Sequence, residues 1–332
     1  MQTKSVLIQS LCVPCCNKCR YCLLSWSGRT LGADWERSVK TAERIINELR
    51  ETRPQLDSAF SFGYSMEHRN LREAIRTLRR LGSPTAEFMQ CDGMKMRDDM
   101  QCGELMAILC GEGVKSLNFT LYGLRDYHDR FAGRKGDYDL LFRMMRAARE
   151  AEIPFTTGVP LISENIDEID ELAAVLKEAG SGKVFLFIPH GEGRGEALES
   201  IRLRRRDLER LSPESVKLLN RELYKTEAEW LAEKPEEEKY RQILISLTKE
   251  NIEDYEKRPA EEILRGIERL DDEYYAAYPD FGELGEEYGD KSGDKLYRRR
   301  DLYHRYRKLY SEEHKVKVCD VTDERYSGSR RY

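Results

Sequence analysis

The sequence predicts an α/β protein built on a parallel sheet, and three observations carry that prediction. Short apolar runs alternate with amphipathic stretches over the first ~190 residues, the rhythm of repeated strand–helix units. The run Lys183 to Ile188 is apolar almost without interruption, as a strand covered on both faces requires. Past Gly195 charges thicken, strand signals vanish and helical periodicity dominates. Period alone leaves two arrangements of the six units open, a doubly wound sheet and an open partial barrel.

The elements follow in order. Ser5 to Ser10 reads as the first strand, with a cysteine-rich loop directly behind it. Asp34 to Glu51 reads as a helix carrying Val39, Ile45, Ile46 and Leu49 on one face. Ser58 to Gly63 is a second strand and Leu71 to Leu81 a second helix. Ala86 to Gln90 is a third strand, followed by a helix from about Asp98 to Cys110. Val114 to Leu121 is the fourth strand and Asp137 to Ala151 its helix. Phe155 to Leu161 is the fifth strand. Its helix has Asn165 as N-cap, runs to Ala179 and stops at Gly180. In the C-terminal part, Ser212-Pro213-Glu214 has the form of an N-cap with proline at the first helical position. Further helices are expected across Glu236 to Leu247, Ile252 to Lys257, Pro259 to Tyr275 and Asp294 to Glu313.

At 332 residues the chain holds one large domain, or a large and a small one, and buries ample apolar surface without disulfide staples. No apolar run approaches the ~18 residues of a membrane span. Residues Met1 to Cys12 lack the apolar core of a secretion signal. Nine cysteines without an export signal point to a reducing compartment, and a cytoplasmic location is expected. A net charge of -5 excludes a globally basic nucleic-acid footprint.

The chemistry concentrates in Cys12-Val13-Pro14-Cys15-Cys16-Asn17-Lys18-Cys19-Arg20-Tyr21-Cys22. It contains C-x3-C-x2-C in two registers, Cys15/Cys19/Cys22 and Cys12/Cys16/Cys19. A cubane [4Fe-4S] cluster normally takes four thiolates. A local triad without an obvious fourth partner suggests a cluster with one open iron, free to bind a substrate or cofactor. Two other readings use the same residues. A structural zinc site draws four ligands, usually as paired C-x2-C units, and Cys91, Cys102, Cys110 and Cys319 supply no second pair. A plain electron-transfer cluster would use Cys12, Cys15, Cys19 and Cys22, but the bacterial ferredoxin run ends in Cys-Pro and Cys22 precedes Leu23. The alternative function is therefore a non-catalytic iron–sulfur electron-transfer or zinc-binding structural protein.

Cys15, Cys19 and Tyr21-Cys22 together resemble the signature of the radical S-adenosylmethionine (radical SAM) superfamily, whose motif carries an aromatic before its last cysteine. The resemblance selects the Cys15/Cys19/Cys22 register as metal ligands and adds Tyr21 to the cofactor neighbourhood. It implies a [4Fe-4S] cluster whose fourth iron is chelated by S-adenosylmethionine. An electron from the reduced cluster then cleaves the sulfonium, and a 5′-deoxyadenosyl radical abstracts hydrogen from substrate. The resemblance also selects the fold, a (β/α)6 partial TIM-like barrel over residues 1–199 with a mainly helical C-terminal extension over 200–332. A reductase, flavodoxin or ferredoxin-type electron donor is implied as partner, with no membrane.

Residues behind each strand then line one mouth. Phe62-Gly63-Tyr64 takes the place of the family's Gly-Gly-Glu, with only Gly63 matching and Tyr64 at the glutamate position. Cys91-Asp92-Gly93 resembles the Thr-Asn-Gly turn, offering Asp92 to a ribose or substrate. Asn118 to Gly123 followed by His128 to Gly133 resembles Ser-Leu-Asp-Gly and His-Asp-x-x-Arg-Gly. Alternation puts Asn118, Thr120 and Tyr122 on one face. Gly63, Tyr64, Asp92, Asn118, Thr120, Arg130 and His190 are thus the expected cofactor-side residues. Tyr64, Cys91, Tyr122 and His190 are the candidates for a catalytic role. Pro189 to Gly195 carries three glycines in no dinucleotide context. The basic and aromatic stretch Lys295 to Tyr310 also reads as an amphipathic helix, and nucleic acid is not the expected partner. A peptide or small-molecule substrate is expected.

Overall fold

The computed structural model describes residues 2–10, 15–22, 33–63, 65–191, 193–233, 240–316 and 328–330. Six strands in chain order form a (β/α)6 partial TIM-like barrel, with the C-terminal part wrapped on it. The strands are β1 (Gln2–Ser10), β2 (Asp57–Phe62), β3 (Phe88–Gln90), β4 (Ser116–Thr120), β5 (Phe155–Pro160) and β6 (Lys183–Phe187). Between them run α1 (Trp35–Thr52), α2 (Leu71–Arg80), α3 (Asp99–Gly111), α4 (Arg125–Ala132), α5 (Asp137–Glu150) and α6 (Ile169–Glu178). Their caps follow from sequence. Asp34, Asn70 and Asp98 accept from the first-turn amides of α1, α2 and α3, and Asp98 with Gln101 closes a capping box.

Beyond β6 come α7 (Pro213–Val216), α8 (Glu227–Ala232), β7 (Tyr240–Leu247), α9 (Ile252–Lys257), α10 (Ala260–Ala276), α11 (Phe281–Tyr288), α12 (Arg299–His314) and β8 (Gly328–Arg330). The strand β7 corrects the expected helix across Glu236 to Leu247. It lies parallel to β1, with Ser5 opposite Gln242 and Ser10 opposite Leu247. Ile243, Ile245 and Leu247 are all buried there. Its apolar run is too short for periodicity to separate a buried strand from a buried helix. β1 therefore has a neighbour on each edge, β2 on one side and β7 on the other. Asn165 stands at the expected N-cap position, before the 3-10 turn Ile166–Glu168 that leads into α6, but its side chain makes no capping bond; its amide donates instead to the carbonyls of Tyr122 and Pro160, both at 2.7 Å, and ties the ends of β4 and β5 together. The final helix starts at Arg299 rather than Asp294, because Lys295 and Tyr297 bridge to Arg204 and Lys225 as extended backbone.

The described strands pair as two sheets, β2-β1-β7-β8 and β3-β4-β5-β6, and the core divides in the same way. One cluster packs β1, β2 and β7 under α1, α2 and α10; the other packs β3 to β6 under α3, α5 and α6. Where β2 and β3 do not pair, a side chain joins their loops. Glu67, in the turn after β2, accepts from the Lys95 amide at 2.9 Å and from Arg97 at 2.5 Å. The C-terminal part is fastened at the opposite end of the barrel by Arg53, whose guanidinium reaches Glu261 at 2.8 Å and Glu268 at 2.9 Å on α10. No helix among the described residues is long and apolar enough to cross a membrane.

Candidate functional site

The cysteine loop leaves the C-terminal end of β1 and is pinned by its own backbone. Cys16 N–H donates to the Gly93 carbonyl at 2.8 Å, Lys18 N–H to Ala132 at 2.7 Å and Arg20 N–H to Phe131 at 3.2 Å. The loop is thus hung between the turn after β3 and the end of α4. Two glycines permit the approach. Gly93 has φ +65°, and a Cβ there would stand 2.0 Å from Cys15 Sγ; Gly133, also at φ +65°, would meet Lys18 Cβ at 2.8 Å.

Beneath the loop lies a buried polar network. Asn17 donates its amide to Asp137 Oδ2 at 2.8 Å, and His128 Nε2 reaches the same oxygen at 3.1 Å. The Tyr122 N–H donates to His128 Nδ1 at 3.2 Å. That contact makes Nδ1 an acceptor and places the ring proton on Nε2, directed at Asp137. Arg134 closes the network on Asn17 Oδ1 at 3.3 Å and Asp137 Oδ1 at 3.4 Å. Asn17, His128 and Asp137 are all buried, so each unmet bond would carry a desolvation cost. The Asn between the cysteines therefore sets the loop's height over α5.

The cysteine side chains at Cys15, Cys16, Cys19 and Cys22 are each partly exposed. Cys19 Sγ stands 3.0 Å from the Tyr122 hydroxyl. Burial pushes the Cys19 thiol up to about 12, against the Tyr122 hydrogen bond and with the charges of Cys15 and Cys22 adding to it. Metal binding has to offset that burial and expel the proton. Tyr21 sits with its ring 5.7 Å from Tyr122, 5.9 Å from Phe131 and 6.5 Å from Phe187, walling the loop against the ends of β4 and β6. No group of three or more His, Cys, Asp or Glu among the described residues converges tightly enough for a single ion. A cube spaces its thiolates more widely, one to each iron. Three cysteines on one loop, with Cys15 seated against the bare Gly93 and a hydroxyl at Cys19, fit such a group.

The remaining expected residues fall into three places. Asp92, Thr120 and Asn118 share the inner face with Gln90. Asp92 Oδ1 accepts from the Thr120 N–H at 2.8 Å, the Gln90 amide donates to its other oxygen and to Thr120 Oγ1, and Asn118 donates to Thr156 Oγ1 at 2.9 Å. Burial pushes the Asp92 carboxyl up to about 6, against the bonds from Gln90 and Thr120. Gly63 closes β2 by donating to the Ser10 carbonyl at 3.1 Å. His190, behind β6, has Nδ1 3.0 Å from Asp301 Oδ1 on α12. The neighbouring Gly195 would, with a side chain, stand 2.1 Å from the His190 carbonyl and 4.0 Å from that of Tyr21, so this turn rests on the cysteine loop. Two residues stand elsewhere. Arg130 lies over the Tyr127 ring at 5.0 Å, and Cys91 is in the packing core with Sγ 3.9 Å from Met66 Sδ. Tyr64 and Cys12 lie outside the described residues. Sequence reading missed Asn17, Glu67, Arg134, Asp137 and Asp301 as parts of the site. Only Asn17 carried a local signal, its place inside the motif. A groove of ≈ 560 Å³ on the outer helices, lined by Asp99, Phe142, Arg143 and Arg149 among others, touches none of the cysteines.

Parallel strands whose C-terminal ends gather a thiol triad on the loop after β1 define a cluster-binding partial barrel. Residues 11–176 match the Radical SAM superfamily. The chain belongs to that superfamily, whose members use a [4Fe-4S] cluster and S-adenosylmethionine. Among curated proteins it is 28% identical over 93 residues to the AdoMet-dependent heme synthase of Methanosarcina barkeri, covering 27% of each chain. Among solved structures it resembles coproporphyrinogen III oxidase (HemN) from Escherichia coli, with TM-score 0.44, 12% identity, 74% of this chain and 63% of that one covered. It also resembles Streptococcus suis SuiB bound to precursor peptide SuiA, with TM-score 0.43, 12% identity and coverages of 57% and 40%. The chain thus spans under a third of the curated relative and under two thirds of either structure's chain.

Proposed function

We propose that the protein is a radical SAM enzyme that abstracts hydrogen from a peptide or small molecule. The observation that carries this reading is the thiol loop itself, suspended at the strand-end mouth by the buried Asn17–Asp137–His128 network with Tyr122 against Cys19. Cys15, Cys19 and Cys22 would hold the cluster, which supplies the electron that cleaves S-adenosylmethionine to a 5′-deoxyadenosyl radical. Asp92, Thr120 and Asn118 offer acceptors and donors on the inner face for the ribose and amino-acid ends of that cofactor. Tyr21 and Phe187 keep water from the loop, which radical chemistry needs because a primary carbon radical attacks whatever is nearest. His190, fixed by Asp301, stands at the far side of the mouth and orients substrate. The extension over 200–332 contributes that aspartate. Reduction falls to a flavodoxin, ferredoxin or reductase. The partial likeness to a heme synthase agrees with a small-molecule substrate, and the net charge of -5 argues against nucleic acid.

Anaerobic reconstitution followed by dithionite and S-adenosylmethionine tests this. The wild-type protein should release 5′-deoxyadenosine, and Cys19→Ala should release none. A reconstituted protein whose spectra show zinc alone, or four irons all tied to protein sulfur, would sink the reading.

A further inference from the structure

We propose that Tyr122 sets the reduction potential of the cluster by donating a hydrogen bond to the Cys19 thiolate. The inference rests on the reading above and concerns the same site. Tyr122 Oη lies 3.0 Å from Cys19 Sγ. In the thiol form either atom can supply the proton. A metal-bound cysteine has none, so the bond must then run from the phenol to sulfur. The competing acceptor is the neighbouring Tyr21 phenol, whose ring is 5.7 Å away. A charged thiolate is a stronger acceptor than a neutral oxygen.

The geometry leaves the hydroxyl little freedom to do anything else. Tyr122 is only 3% exposed. Its ring is stacked on His128 at 5.0 Å and 18° and packs on Phe131 at 4.8 Å. Its backbone N–H holds His128, which holds Asp137, which holds Asn17 two residues before Cys19. The donor and the acceptor are therefore positioned by one buried network and do not drift apart independently. Hydrogen bonds to cluster sulfur are an established lever on potential. Reduction adds negative charge to the cube and its thiolates. A donor at one thiolate stabilises the reduced form more than the oxidised one and raises the potential. Low local dielectric around the buried Tyr122 enlarges the effect.

Tyr122→Phe removes the hydroxyl and keeps the ring packing. The full chain is reconstituted without oxygen, checked for four irons, and titrated with its reduction followed by electron paramagnetic resonance. The variant should show a roughly tenfold lower ratio of reduced to oxidised cluster at a fixed potential, which is about 59 mV for a one-electron couple. A fully loaded variant whose midpoint equals that of wild type, or lies above it, overturns the proposal. Should Tyr122→Phe not take up iron, Tyr122→Met is titrated in the same way. If neither holds iron while Phe131→Leu at the adjoining ring contact does, the hydroxyl serves loading rather than tuning, and the proposal is again overturned. Failure of the wild-type chain to form a four-iron cluster would count against the proposed function instead, so the two failures are distinguishable.

Discussion

Asp92 is the side chain on the inner face whose protonation state is most exposed to change. Its carboxyl is half-buried among Gln90, Thr120 and the cysteine loop, and burial raises it from 3.8 to about 6. A carboxyl raised on folding favours the protonated protein. Its contribution to stability is fully present below about pH 4 and is lost as pH climbs through about 6. Asp92→Asn cannot ionise and should escape that loss. Denaturant midpoints of the two metal-free proteins, measured from pH 4 to pH 7, should diverge in favour of the variant as pH rises. Parallel curves would mean that Asp92 is solvated well enough to titrate normally. Ionised, Asp92 offers a ribose hydroxyl a charged acceptor; neutral, it offers a proton. As the proposed ribose contact, it should make cofactor affinity change as pH passes through about 6.

At the scale of elements, β7 is the piece that the barrel borrows from the far part of the chain. Ile245, 1% exposed, faces the core shared by β1, α1 and α10. Ile245→Ala should destabilise the protein by about 2–5 kcal/mol, the range for emptying a fully buried isoleucine site. Thermal or urea unfolding reads it, and a cost under about 1 kcal/mol would show that the site collapses without loss. The first five strands were legible because helices of ordinary length separate them, and β6 because its apolar run is almost unbroken. β7 was not, since Arg241-Gln242 and Thr248 bracket an apolar run that either element could bury. α4 was passed over for a different reason: Arg125 to Ala132 has no side-chain cap at Leu124, and its residues read as a loop motif. The cysteine triad was legible because metal-ligand spacing is a local property. Asp137 and Asp301 were not, because 120 residues separate Asp137 from Asn17 and 111 separate Asp301 from His190.

The whole molecule is organised so that its N-terminal strand is an interior one. β1 bears the cysteine loop and is flanked by β2 and by β7, while α10 is clamped to α1 through Arg53 and through the Ala260 N–H on Glu48 at 2.7 Å. A chain ended at residue 233 keeps every cysteine of the motif and every strand from β1 to β6. It exposes one edge of β1 and the apolar faces of α1 that α10 covers. Such a truncated chain should take up markedly less iron than the full one and exchange the amides of β1 rapidly; full iron loading would show that the barrel half stands alone. The position of β1 also orders events during synthesis. Gln9 and its hydrogen-bond partner Ser246 are 237 residues apart, so the strand that leads into the metal loop gains its second neighbour only after that much more chain has been made. For most of that interval the thiols hang on an unfinished scaffold, exposed to oxidation. Stable cluster loading should therefore follow the docking of β7 on β1.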